Sequence, residues 1–200
     1  MKKIKIGLPR AFLYYRYGVL WKTFFTTLGC KIVLSPETNK DILSLGINNS
    51  IDECCLSYKI YIGHAMYLKE KCDYILVPRI CDYGKKDKVC TRFNGTYDNL
   101  KSLLYPTSIL TYNIHHTKFK YEFLGFLKIG LKITKNPLKI IYGYLKGKKK
   151  QKQYYQNKEN EQIHKLHNKN IKVLIISHFY NISDNYLGSY IKEYLESRNK

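Results

Sequence analysis

Along the first eighty residues, short runs of buried-strand character alternate with segments whose apolar side chains recur at helical spacing. Ile4-Lys5-Ile6-Gly7-Leu8 ends at Pro9, and Tyr14 to Leu28 then carries apolar residues three and four apart up to a stop at Gly29. Cys30 to Leu34 is a second strand run, followed by a Ser35-Pro36 turn and a short helix near Lys40 to Leu45 that Gly46 can close. Another helix fits Leu56 to Glu70, and Tyr74-Ile75-Leu76-Val77-Pro78 makes a third buried strand. Strand-helix alternation with continuously apolar strands predicts a parallel sheet covered on both faces. In such sheets functional groups gather in the loops at the carboxyl ends of the strands. Those loops are Pro9-Arg10-Ala11, Ser35-Pro36 and the stretch from Arg79 to Asp98.

Beyond this unit the pattern changes. From about Phe119 to Lys150 it is helical, with Leu124, Leu127, Leu131, Leu138, Ile141 and Leu145 expected to face inward and Lys128, Lys132, Lys135 and Lys139 on a separate, exposed stripe. Pro137 is expected to divide this region into two helices. Lys148 to Asn170 is polar and rich in Gln, Asn and Lys, a helical connector. Lys172-Val173-Leu174-Ile175-Ile176 then reads as a fourth strand, followed by a loop over Ser177 to Asn185 and a terminal helix. The expected organisation is therefore an α/β half over 1–118, a basic helical connector over 119–170, and the first strand and helix of an incomplete second α/β half over 171–200.

A chain of 200 residues can bury a core without disulfide staples. Its 35 Lys+Arg against 15 Asp+Glu look like a nucleic-acid signature. Only five of those bases are Arg, however, and the many Lys, Asn, Ile and Tyr residues are also what AT-rich codon usage produces. Specific nucleic-acid binding, which needs aromatic residues interleaved with Arg, is not expected. The positive excess is +7 over residues 1–100, +12 over 101–170 and +1 over 171–200. No apolar run approaches the ~18 residues of a membrane span, and Arg10 and Arg16 interrupt what would be the core of a signal peptide. A cytoplasmic location follows as the expectation, with the six cysteines as thiols or metal ligands and not a disulfide framework.

Spacing alone assigns the cysteines no metal site, because they form no CxxC pair and no zinc-finger pattern. Cys30 and Cys72, at or just before strand starts, read as small buried residues. Cys55 stands at the start of the expected helix that holds Lys59 and His64, while Cys81 and Cys90 fall in the loop after the third strand.

A run of motifs carries a resemblance. Ile6-Gly7-Leu8-Pro9-Arg10-Ala11, Leu20-Trp21-Lys22-Thr23-Phe24-Phe25 and Ser35-Pro36-Glu37-Thr38-Asn39-Lys40 are followed by Asp52-Glu53-Cys54-Cys55-Leu56, Lys59 and Gly63-His64. Val77-Pro78-Arg79, Cys90 with Phe93, Gly95 and Asp98, and finally His178, Tyr180-Asn181-Ile182 and Asp184 complete the series. Together they resemble the 2-hydroxyacyl-CoA dehydratase D-component superfamily, and within it the acyl-CoA dehydratase activase-related branch. The likeness spans nearly the whole chain and is poor only over about 101–165.

The resemblance implies a flavodoxin-like α/β fold and a 4Fe-4S cluster held by three cysteines. By motif, Cys55 takes the first ligand place and Cys90 the second, and both are the expected metal and cofactor ligands. Arg10, Lys59, His64, Arg79 and His178 are the candidate substrate-binding residues. The implied function is low-potential electron transfer toward an activated acyl-CoA, with an ATP-dependent activator or a second dehydratase-type subunit as partner. Whether the chain is itself a dehydratase-like lyase is left open, the alternative being a truncated non-catalytic remnant or partner-binding module of the same fold. The departures are Thr91-Arg92 where the family has Pro-Lys after the cysteine, Tyr97 where it has Pro, and Phe179 where it has Pro. No third motif cysteine follows, so the chain looks like a truncated gene or one piece of a split protein.

Overall fold

The computed structural model describes residues 3–82, 89–115, 119–166 and 172–198. The architecture is the expected α/β one. β1 (Lys5–Leu8) pairs in parallel with β2 (Lys31–Leu34) on one edge and β3 (Tyr74–Leu76) on the other, and β5 (Ser108–Leu110) lies outside β3, giving a parallel sheet in the order β2-β1-β3-β5. Each crossover carries helix: α1 (Tyr14–Thr27) leads to β2, α2 (Lys40–Asn48) and α3 (Leu56–Leu68) lead to β3, and α4 (Thr91–Leu103) leads to β5. This is a flavodoxin-like arrangement.

Two short strands extend the sheet. β4 (Arg79–Asp82) follows β3 almost directly and pairs in parallel with β6 (Asn113–His115), which follows β5 in the same way. Backbone bonds from Val77 N–H to the Leu110 carbonyl (2.8 Å) and from Arg79 N–H to the Tyr112 carbonyl (2.9 Å) carry the pairing across the gap. Pro78 stands between these two donors and has no N–H to give. Of the stretch from Arg79 to Asp98, expected to be a loop, the described residues form strand β4 and the first part of helix α4. Cys81 sits on β4, and residues 83–88 lie outside the described ones.

The sheet buries both faces, as a parallel sheet must. Ile6, Leu8 and Leu76 point toward α1, where Leu20, Trp21, Phe24 and Phe25 are all buried, while Ile75 and Val77 point the other way, toward Tyr58, Ile62, Ala65 and Leu68 of α3. Gly7 is part of that second face. A Cβ there would lie 2.6 Å from the Cys72 sulfur, so the buried thiol fills the space that the glycine leaves.

The helical middle forms as the proline predicts, in two parts: α5 (Phe119–Leu131) and α6 (Pro137–Leu166). Its inward face is not the leucine stripe. Phe126, Ile129, Ile140 and Tyr144 are buried, whereas Leu138 is 75% and Leu145 59% exposed. The reason lies in the glycines. Gly125 and Gly130 on α5 and Gly143 and Gly147 on α6 mark close approaches, since a Cβ on Gly130 would meet Ile140 at 2.7 Å and one on Gly147 would meet Leu20 at 2.6 Å. Small residues let the helices approach, and the flanking aromatic and Ile side chains are drawn into the core while Leu124, Leu131, Leu138 and Leu145 turn outward and Leu127 stays partly buried against it. Lys128, Lys132, Lys135 and Lys139 are exposed, as expected.

The predicted fourth strand is not formed. Residues 172–176 have no regular structure, and Leu174 and Ile176 are 84% and 88% exposed. A strand needs a neighbour to satisfy its backbone groups, and among the described residues none pairs with this segment. The terminal helical part is present as α7 (Phe179–Ser183) and α8 (Asn185–Arg198). The domain limits expected at 118 and 170 fall on residues outside the described ones.

Helices α2 and α3 cross at two glycines. A methyl group on Gly63 would overlap the Ile42 carbonyl, and one on Gly46 would overlap the Lys59 carbonyl, so backbone meets backbone at both points. Gly95, in α4, is open by contrast, and a Cβ added there would have nothing within 4 Å. Gly63→Ala is expected to lower stability by about 2 kcal/mol or more through overpacking, whereas Gly95→Ala raises it by roughly 0.5–1 kcal/mol. Urea midpoints of the two variants check this, and equal effects of the same sign would contradict the crossing geometry.

Candidate functional site

The chain reverses its direction of travel across the sheet between β1 and β3, so the crevice outside their carboxyl ends is the expected ligand position of such a fold. The loop after β1 enters this crevice with Phe12 in the left-handed backbone region (φ 49°). A bulky residue there is strained. Its ring is buried and contacts Tyr61 (5.0 Å, stacked), Phe93 (4.8 Å), Tyr180 (5.0 Å) and Tyr58 (6.1 Å). Phe12 thus touches the first turn of α3 through Tyr58, the first turn of α4 through Phe93, and α7 through Tyr180.

Two cysteines open those two helices. Cys55 is the N-cap of α3 and Cys90 the N-cap of α4, both with extended backbone, and neither side chain caps its helix. Both are exposed, unlike Cys30, Cys54 and Cys72, which are buried. Burial pushes the Cys30 and Cys72 thiols up to about 11, which keeps them protonated and unreactive. The Arg92 guanidinium stands 5.9 Å from the Tyr58 ring, and Asn99 donates to the Tyr58 hydroxyl (2.9 Å), so α4 is fastened to α3 along its length. Among the described residues no group of three or more His, Cys, Asp or Glu side chains could hold a metal.

The candidate substrate residues have different surroundings. Arg10 is ion-paired to Glu37 (3.0 Å). Arg79 donates from Nε to the Asn94 carbonyl (3.0 Å) and pairs with Asp98 (3.5 Å), which pins α4 to the end of β4. Lys59 is half-buried on α3, and His178 is exposed with its ring stacked on Tyr180 at 5.1 Å. His64 is fully buried. Of these, Arg10 and His64 meet at Ser35, whose Oγ accepts from the Arg10 backbone N–H (2.8 Å) and lies 2.9 Å from His64 Nδ1.

His64 is instead the centre of a polar network that sequence reasoning did not reveal. Its Nδ1 is 2.9 Å from Ser35 Oγ and its Nε2 is 3.0 Å from Thr38 Oγ1. The Thr38 hydroxyl donates to Asp184 Oδ2, which also accepts from the Tyr15 hydroxyl (3.0 Å). With the Thr38 proton committed to a carboxylate, Nε2 carries the imidazole proton and donates to Thr38, and Nδ1 accepts from Ser35. The other Asp184 oxygen accepts from the backbone N–H of Tyr186 (2.9 Å) and Leu187 (3.3 Å), capping α8. One buried carboxylate therefore fastens the C-terminal helices to the first turn of α1 and to the loop after β2. Asp184, separated from His64 by 120 residues of sequence, carried no local signal of this role.

Burial pushes the His64 imidazole down to about 4, from an ordinary 6.5, with Asp184 opposing the shift. The unfolded chain therefore takes up the proton first. The contribution of neutral His64 is complete above pH 6.5 and is lost as pH falls toward 4, on the order of 3 kcal/mol in total. Urea midpoints followed from pH 7.5 to 4.5 should fall more steeply in the wild type than in His64→Gln, and parallel profiles would contradict a buried neutral imidazole.

No curated protein and no solved structure matches the chain. A family model does match, over residues 5–200, and its description is CoA enzyme activase uncharacterised domain (DUF2229). It spans the sheet, the cysteine-capped helices and the Asp184 anchor alike, and the chain belongs to this activase-related family.

Proposed function

We propose that the protein is an iron-sulfur component related to 2-hydroxyacyl-CoA dehydratases and their activase-related proteins, passing electrons at low potential toward an activated acyl-CoA. The observation that supports this is the sorting of the cysteines. The two that the motifs nominate, Cys55 and Cys90, are the exposed ones, and each occupies the N-cap position of a helix, with its thiol free of a capping bond, at the switch-point end of the sheet. A thiolate bound to iron at such a cap faces unpaired helix N–H groups, which favour its negative charge.

The donor set fits a cluster in part. Two thiols are two ligands, and the remaining ones come from outside the described residues, on a dehydratase-type partner subunit or an ATP-dependent activator. When bound, the cluster supplies a one-electron couple and, at an iron without a thiolate, a Lewis-acid position. The chain's own residues hold the geometry. Phe12 wedges between the first turns of α3 and α4, Arg79 fixes α4, and His64 with Asp184 fixes α7 beside them. In this reading Arg10, Lys59 and His178 offer cationic or hydrogen-bonding contacts to an acyl-CoA.

A second reading, a partner-binding module without chemistry of its own, is favoured by the exposed apolar segment Val173, Leu174 and Ile176. Anaerobic reconstitution with iron and sulfide separates the two readings. The wild type should take up iron with a thiolate-to-iron absorption band, held labilely, and Cys55→Ser and Cys90→Ser should each abolish it, while Cys30→Ser retains it. Equal iron uptake in the Cys55→Ser/Cys90→Ser double variant would overturn the cluster assignment and leave the binding module.

A further inference from the structure

A cleft of about 440 Å³ opens between α1, the middle of α6 and the start of α7, lined by Tyr15, Arg16, Tyr154, Tyr155, Lys158 and Phe179. A second hollow of about 150 Å³ shares Tyr15, Arg16 and Tyr154 with it and adds Tyr14 and Lys22, so the two form one continuous surface. Its chemistry is unusually uniform: aromatic faces and cations, with no carboxylate in either lining.

The cations lack counter-ions. Arg16, Lys22 and Lys158 make no ion pair among the described residues and rest on tyrosine rings instead, Arg16 at 5.7 Å from the Tyr17 centroid, Lys22 at 5.6 Å from Tyr14 and Lys158 at 5.1 Å from Tyr154. Asp184, which accepts from the cleft residue Tyr15, is buried and also holds hydrogen bonds from Thr38 and the first turn of α8. Tyr154 and Tyr155 are about two-fifths exposed, at 37% and 41%.

The walls are built in advance. Buried Gln151 accepts from the Leu20 N–H (2.9 Å) and donates to the Arg16 carbonyl, the two groups that an uninterrupted helix pairs with each other. The Tyr155 hydroxyl donates to the same Arg16 carbonyl (2.7 Å). Helix α6 is thus clamped into the backbone of α1 at the floor of the cleft, which fixes Arg16 against Tyr154, Tyr155 and Lys158.

From these observations we infer that the α1–α6–α7 cleft binds a phosphorylated nucleotide, its base stacked on the Tyr154 ring and met edge-on by Tyr155, whose ring stands at 65° to that of Tyr154, and its phosphates held by Arg16, Lys158 and Lys22. The volume lies within the range of small-ligand sites. None of the cysteines lines the cleft, and the variants that test it leave them untouched.

Equilibrium dialysis with radiolabelled ADP, beside adenosine and inorganic pyrophosphate, tests it. ADP should bind more tightly than either fragment, and its affinity should fall with added salt. Lys158→Glu and Tyr154→Ala should each weaken ADP by about tenfold, whereas Tyr154→Phe, which keeps the ring, should leave it within about twofold. Because all three changes lie on exposed positions of α6, unchanged urea midpoints confirm that the fold is intact. Binding of ADP no tighter than pyrophosphate would overturn the nucleotide assignment, as would wild-type affinity in Lys158→Glu. A single-stranded oligonucleotide that displaces ADP while protecting a stretch of several nucleotides would replace the site with an extended nucleic-acid surface.

Discussion

Both edges of β1 are occupied, by β2 and by β3, and this constraint governs the rest of the molecule. Parallel neighbours require crossovers, so the chain must cover one face with α1 and the other with α2 and α3, and the loops after β1 and β3 must open together at one end. Phe12 is placed there at a conformational cost of about 1–3 kcal/mol for a non-glycine residue with positive φ. Burying its ring returns roughly 2–3 kcal/mol, and its ring contacts add about 0.5–1.5 kcal/mol each, so packing outweighs strain. The strained residue is held by the side chains that follow Cys55 and Cys90, which couples the loop to both helix caps.

The second anchor is electrostatic but does not rest on exposed ion pairs. Arg10 with Glu37 and Arg79 with Asp98 are at least partly in water, where such pairs contribute about 0–1 kcal/mol. Asp184 is 2% exposed and receives two hydroxyl and two backbone donors, each to a buried charge. Removing its partners would strand a carboxylate in the interior, so the contact fixes where α7 lies relative to the start of α1 and the loop after β2. The neutral state of His64 belongs to the same logic, since a second charge beside Ser35 and Thr38 would have no solvent to stabilise it.

Much of this was legible in the sequence because strand and helix periodicities are local. β1, β2, β3, α1 and α3 follow directly from runs such as Ile4–Leu8 and from the Gly29 and Pro9 punctuation. What escaped depends on partners distant in the chain. β4 and β6 are four- and three-residue strands defined by each other, and residues 172–176 have strand composition but, among the described residues, pair with no strand. The leucines of α5 and α6 misled because hydrophobicity alone does not say which face has glycines to permit close packing. At the site, Cys55 and Cys90 stood out by motif, and both are exposed at helix starts. Thr38, His64 and Asp184 stood in the motifs, but that they join with Tyr15 in one network was not legible, because they are far apart in sequence and only the fold brings them together.

The central claim, that the α3 and α4 caps present Cys55 and Cys90 to a single ligand, is tested most directly by dibromobimane, which becomes fluorescent only when it bridges two neighbouring thiols. The native protein should give a 1:1 fluorescent adduct whose peptide map links Cys55 to Cys90, and either serine substitution should abolish it. Rapid separate alkylation of both thiols without a linked, fluorescent product would show that the two caps do not share a site.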